Sequence, residues 1–190
     1  MANLCNFIAR VKGDKANVKK FIDGMEKKNG VWLGRGAELS IVDDDDFNDT
    51  WNDRDSSIEF SGFCSWSIEN SMVNNALSMR EQAETGEGNW GDLVEGTEYY
   101  TLFEYARKLG VEFEMYSNEN GCSFAEHIAY TNELGEVIET TNYTEIWIED
   151  YETLEECQKD YPEVTQEMWD SSEDGTTIVV GGFDESVWNL

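Results

Sequence analysis

Basic residues are scarce in this chain, histidine occurs once and proline occurs once. Thirteen Lys and Arg stand against 41 Asp and Glu over 190 residues, a net charge of −28. That balance opposes direct nucleic-acid binding by the acidic part, since affinity for phosphates comes from Lys and Arg releasing counterions. The lone histidine, His127, falls in a predicted strand with no localisable Ser-His or Cys-His arrangement. It reads as a satisfied sheet histidine rather than a general base. A single proline, Pro162, together with 13% aromatic residues excludes an intrinsically disordered acidic chain, which is poor in aromatics. The apolar runs fall far short of the roughly 20 residues a membrane helix needs, and "MANLCNFIARVKG" lacks the apolar stretch of a secretory signal. A cytoplasmic location, with no membrane partner, is expected.

The four cysteines, Cys5, Cys64, Cys122 and Cys157, form no C-x-x-C pair, which signals neither a structural zinc site nor a redox couple. They are expected to be buried free thiols. There is no P-loop, no G-x-G-x-x-G and no nucleophile elbow. With 41 acids, glycosidase-like carboxylate pairs arise by chance and carry no weight. The expectation is a protein that is not an enzyme and uses no cofactor and no metal.

What is present is negative charge, unevenly distributed. Residues 1–36 hold eight bases and three acids, a net of +5, whereas residues 37–190 hold five bases and 38 acids, a net of −33. Self-repulsion on that scale works against a compact state while keeping the chain soluble. The basic start argues against acidity spread over a whole surface, as salt adaptation would give.

Periodicity then orders the chain. In "CNFIARVKG", Phe7, Ala9 and Val11 alternate with Asn6, Ile8 and Arg10, a first strand closed by Gly13. Asp14 is placed to cap a helix carrying Val18, Phe21, Ile22 and Met25, stopped by Gly30. "GAELSIVDD" and "SSIEFSGFCSWSIE" read as strands, the second with Ile58, Phe60, Cys64 and Trp66 on one side, and the aspartate run on the connection between them. A helix over Ser67 to Met79 precedes a Gly- and Glu-rich loop. "TEYYTLFEYARKLG" puts Tyr99, Leu102, Phe103, Ala106 and Leu109 on one stripe, with Gly110 as C-cap. Three strands in a meander follow, "VEFEMYS", "CSFAEHIAYT" and "EVIETTNYTEIWIED". A short helix capped by Thr153 ends before Pro162, and "TTIVVGGF" is a late strand. The fold class is α+β with an antiparallel sheet, in one domain spanning 1–190.

Three segments together resemble the YubB-type ferredoxin-like domain of phage and plasmid proteins. They are "MANLCNFIARVKG" with its helix, "FSGFCSWSIENS", and "LFEYARKLGVEFEMYSNENGCSFAEHIAYTNELGEVI". The resemblance covers roughly residues 1–140. It implies a ferredoxin-like core over 1–140 with helices packed on one face, an acidic addition over 141–190, and a mobile-element setting. It supplies no catalytic residues.

The densest charge lies in "ELSIVDDDDFNDTWNDRDSS". Read as an EF-hand from Asp44, it has Asp49 where the turn needs Gly and Asp55 where a bidentate Glu belongs, so it is a poor calcium loop. A second concentration, 15 acids and one base between residues 132 and 174, brings carboxylates together with Trp147 and Trp169, and Trp188 follows. On a predicted strand Glu145, Trp147 and Glu149 share one face. Alternate strand residues stand about 6.6–6.8 Å apart, close to the spacing of successive phosphates. Such a surface can occupy the groove of a basic nucleic-acid-binding protein and use the steering that DNA uses. Exposed aromatics among the acids suit a protein interface.

The functional expectation is therefore a stoichiometric counter-defence inhibitor, of the anti-CRISPR or anti-restriction kind, whose partner is a basic host nuclease. The candidate contact residues are Asp43, Asp44, Asp45, Asp46, Glu145, Trp147, Glu149, Asp150, Glu152, Glu155, Glu156, Glu163 and Glu167. The alternative is an acidic ferredoxin-like protein that binds a peptide, ion or small molecule without a defence role. The basic N-terminal helix is expected to pair with acids of the same chain or of a second copy, which allows a homodimer.

Overall fold

The alternation in the first strand places one row of side chains inside, and the rest of the molecule is arranged around that row. A computed structural model of the chain describes residues 4–26, 30–34, 37–41, 43–88, 93, 95–119, 122–172 and 177–183. In β1 (Leu4–Lys12), Cys5, Phe7, Ala9 and Val11 are buried while Leu4, Asn6 and Lys12 are exposed. Asp14 then accepts the Ala16 and Asn17 backbone N–H groups and starts α1 (Lys15–Met25), satisfying two donors that the first turn leaves unpaired. The helix stops at Met25, well before Gly30.

β1 is an interior strand of a seven-stranded sheet, third from one edge. Its neighbours are β4 (Ser57–Ser65) and β6 (Glu112–Glu119), both antiparallel to it, so these two run parallel to each other on either side. Outside β4 lies the two-residue β3 (Glu38–Leu39); outside β6 come β7 (Phe124–Thr131), β8 (Gly135–Trp147) and β9 (Thr177–Gly181), each antiparallel to the one before. Two further short strands, β2 (Val31–Trp32) and β5 (Glu98–Tyr99), pair in parallel as a separate ribbon. Gly62 is where β3 closes on β4. A Cβ there would stand 2.6 Å from the Phe7 ring and 2.7 Å from the Glu38 carbonyl oxygen.

The sheet is thus larger than the four strands of a simple ferredoxin-like fold. Its centre contains one split β-α-β unit, β4 to β6 around β1, and the crossover is mostly helical, interrupted by the short strand β5. A turn of π-helix (Asn70–Asn74) runs into α3 (Asn75–Thr85), ended by Gly86 in the left-handed region. α4 (Leu102–Leu109) begins with a reciprocal capping box between Thr101 and Glu104 and ends on Gly110, also left-handed.

The buried rows of β1, β4, β6 and β7 meet α1, α4 and the π-helical turn in one core, in which Phe21 stacks on Phe113 at 5.4 Å. Each large side chain buried here contributes about 1.5–3 kcal/mol. Trp66 departs from the expected parity: its φ of 73° is left-handed, which ends β4 one residue earlier and leaves the indole 47% exposed.

A second, smaller core lies beyond the first. β8 is 13 residues long and outruns β7, and its last residues pair with β9. Ile146, Ile178, Cys157 of α5 (Leu154–Asp160) and Val164 are buried together, with Met168 and Trp169 of α6 (Gln166–Ser171) packed against them. Among the described residues no helix is long and apolar enough to cross a membrane.

Candidate partner-binding surface

The aspartate run is a helix start rather than an open connection. Asp43 is the N-cap of α2 (Asp44–Thr50), accepting the backbone N–H groups of Asp45 at 2.9 Å and Asp46 at 3.0 Å. Asp44, Asp45 and Asp46 fill its first turn, where unpaired amides and the helix dipole favour carboxylates by about 0.3–1 kcal/mol each. Phe47 anchors the helix in the core and stacks on Trp51. Repulsion among four adjacent aspartates is further offset by α1. Lys19 Nζ lies 2.9 Å from Asp44 Oδ1, and Lys15 Nζ stands 5.8 Å from the Phe47 ring and 5.5 Å from that of Trp51. The Asp44 carboxylate, followed by Asp23, holds the Lys19 pKa above its ordinary value. The basic helix therefore pairs with acids of its own chain.

The second acidic segment repeats the device. Thr153 caps α5 and accepts the Glu156 N–H, with Glu155 and Glu156 in the first turn, and Thr165 caps α6 with Glu167 in its first turn. Glu156 reaches back to accept the Glu152 N–H at 3.0 Å. Glu149 does not share the strand face with Glu145 and Trp147. The strand ends at Trp147, and Ile148–Asp150 turns as a short 3-10 helix that carries Glu149 and Asp150 away. Cross-strand partners of the remaining pair are Val179 for Glu145 and Thr177 for Trp147.

All thirteen residues singled out from the sequence are exposed. They form two groups rather than one. Asp43 to Asp46 belong to the β4 edge, near the Ser57–Lys12 end of the sheet. Glu145, Trp147, Glu149, Asp150, Glu152, Glu155, Glu156, Glu163 and Glu167 belong to the β8–β9 edge, beyond the opposite end. β4 and β8 stand four strand positions apart, on the order of 19 Å at about 4.8 Å per strand, before the length of the strands is added. Trp147 is 50% exposed, whereas Trp169 packs on the second core. Trp188 and Glu173 lie outside the described residues.

Sequence reading missed a third grouping, because it exists only through strand register. On the sheet face opposite the main helices, Tyr116, His127 and Glu139 are aligned across β6, β7 and β8. His127 stacks on Tyr116 with ring centres 4.3 Å apart, and its two nitrogens lie 3.0 Å from Glu139 and 3.1 Å from Glu114. The Tyr116 hydroxyl donates to Glu114, and burial together with that carboxylate pushes its pKa up to about 12. His127 is thus a satisfied sheet histidine, as its strand position suggests.

Two carboxylates are buried on the helix side. Glu126 is 2% exposed and accepts the Ile68 N–H at 2.7 Å and the Ser117 hydroxyl at 3.1 Å, and burial raises its pKa. Glu119 is 1% exposed and accepts the Cys122 N–H. Cys5, Cys64 and Cys157 are buried free thiols, but Cys122 is exposed, in the turn before β7.

Comparison with protein-family models, with curated proteins and with solved structures finds no match. The class that fold and surface define is an acidic α+β protein built on a seven-stranded antiparallel sheet.

Proposed function

We propose that the protein is a stoichiometric inhibitor that presents carboxylates and an exposed tryptophan to the basic groove of a nucleic-acid-binding protein. The partner class is a host defence nuclease of the CRISPR or restriction kind. The observation that carries this reading is the exposure of all thirteen candidate residues, with Trp147 half-exposed beside Glu145. An aromatic ring of that size gains stability by burial against a partner, while surrounding acids steer a basic surface toward it. Because the acids form two groups at opposite corners of the sheet, two basic patches of the target are engaged rather than one continuous stripe. On this reading the inhibitor acts in the host cytoplasm and has no catalytic turnover, cofactor or metal of its own. On the same reading residues 1–140 are the ferredoxin-like, YubB-type core and residues 141–190 are the acidic addition.

A pull-down of nucleases at about 0.1 M salt, followed by competition with DNA at several ionic strengths, tests it. Retention of a nuclease that DNA displaces, with affinity falling steeply as salt rises, is the expected result. Failure to retain any basic partner even at low salt sinks the reading.

A second reading has its own support. A cleft of about 570 Å³ opens beside β3, lined by Asn6, Ile8, Glu38, Ser61, Phe63 and Asn118. Its mixture of apolar walls and a few polar groups is the composition of a small-ligand site. It favours a binding protein for a peptide or small molecule.

A further inference from the structure

The last strand of the sheet is an uncharged stretch that follows the acid-rich residues 132–174. β9 reads Thr177, Ile178, Val179, Val180, Gly181, and has no acid, base or proline. Exposed edge strands are normally blunted by charge, by proline or by a covering element, because a row of unpaired N–H and C=O groups is a template for another strand. Among the described residues β9 pairs with β8 alone and carries neither charge nor proline.

Register fixes which groups are open. Gly182 N–H donates to Asn142 O at 3.0 Å, and Tyr143 N–H turns the other way, to Ser123 O. By the alternation of an antiparallel ladder, Val180 and Ile178 direct their backbone groups at β8, and Val179 and Thr177 direct theirs outward. Side chains divide the same way. Ile178 is buried in the second core, whereas Val179 is 49% exposed on the opposite face, diagonal to Trp147, which is 50% exposed. Glu145 lies directly across from Val179. An open edge and an apolar pair therefore converge where β9 pairs with the end of β8.

We propose that the outer edge of β9 is a docking strand for an extended, Lys- or Arg-containing segment of the partner, added to the sheet by main-chain hydrogen bonds. An apolar side chain of that segment rests on the face of Val179 and Trp147, and the alternate positions carry its cations to the opposite face, on which α5 and α6 bear Glu155, Glu156 and Glu167. The binding mode is β-augmentation, in which the ladder supplies affinity and the flanking side chains supply specificity. A second copy of this chain is the wrong occupant on electrostatic grounds, because pairing two β9 edges would bring together two molecules each carrying −28. The inference rests on the inhibitor reading for the identity of the partner, and adds where and how that partner is gripped.

The test uses two synthetic octapeptides, one alternating Lys and Val and one of Lys alone, titrated into the full chain by calorimetry with amide hydrogen exchange as site readout. The alternating peptide is expected to bind at least about tenfold more tightly and to slow exchange at Val179. Val179→Pro removes an outward donor without removing a bond to β8, and is expected to bring the alternating peptide down to the level of the all-Lys peptide. Val179→Lys, which keeps every amide and adds a repelling charge at the edge, is expected to do the same and covers the case in which the proline variant does not fold. Equal binding of the two peptides to wild type and both variants, or a dimer that Val179→Pro dissolves, overturns the assignment. A nuclease retained with steep salt dependence but indifferent to both variants removes the docking strand and leaves the inhibitor reading standing. Peptide binding at β9 with no nuclease retained does the reverse.

Discussion

Glu126 accepts the backbone N–H of Ile68 at 2.7 Å, joining β7 to the start of the helical crossover across 58 residues of chain. A buried carboxylate thereby does the work of a helix cap. Glu126→Ala leaves that amide and the Ser117 hydroxyl without their acceptor, and is expected to cost about 1–3 kcal/mol, measured by urea denaturation.

The pH dependence follows from the direction of the Glu126 shift. Burial raises its folded pKa above the unfolded one, so its contribution to stability is fully present below the unfolded value, about 4.3, and is lost as pH rises through the folded value. Melting temperature is expected to fall from about pH 4.5 upward, and Glu126→Gln, which carries no titrating group, to flatten the fall. An unchanged pH profile in that variant would show that the carboxylate does not titrate differently on folding.

For the aspartate run, Asp43→Ala is expected to destabilise by about 1 kcal/mol, because its carboxylate caps α2. Asp45→Asn and Asp46→Asn are expected to cost less than about 0.5 kcal/mol. Asp44→Asn weakens a pair in which the aspartate side chain is 76% exposed and is expected to stay below about 1 kcal/mol. On the inhibitor reading the order reverses for binding: the three first-turn asparagines together lower affinity for a basic partner, whereas the stability change is small.

Thiol counting checks the core. One equivalent of a thiol reagent is expected to react quickly with the native protein, at Cys122, and three more only on unfolding, because Cys5, Cys64 and Cys157 are at most 2% exposed. Fast reaction of two or more native thiols would contradict either the packing of β1 against β4 around Cys5 and Cys64 or the burial of Cys157 in the second core.

Sodium chloride is expected to raise the melting temperature between about 0.02 and 0.3 M, since screening relieves repulsion in a chain of −28. A fall over that range would mean that ion pairs such as Lys19–Asp44 outweigh the repulsion.

Much of the architecture was written locally. The alternation in β1, the Asp14 cap, Leu102, Phe103 and Ala106 of α4 with Gly110 behind them, and the Thr153 cap of α5 are each decided by side chains within a few residues and appear where their patterns place them, whereas Tyr99, expected on the same stripe, lies in β5. α2 was missed because its run of aspartates looks like a loop until Phe47 finds the core and Lys19 finds Asp44. α6 was missed for a similar reason, since its apolar residues, Met168 and Trp169, have a partner only in the second core.

By itself the sequence determined the charge, the α+β class, and the exposure of the acidic segments, because composition and short-range periodicity are properties of neighbouring residues. Tertiary structure alone decided that the acids fall into two groups, that His127 meets Glu114 and Glu139, and that β9 ends the sheet with Val179 beside Trp147. Those relationships are set by strand register, which pairs residues far apart in the chain and which a shift of a single residue would turn to the other face.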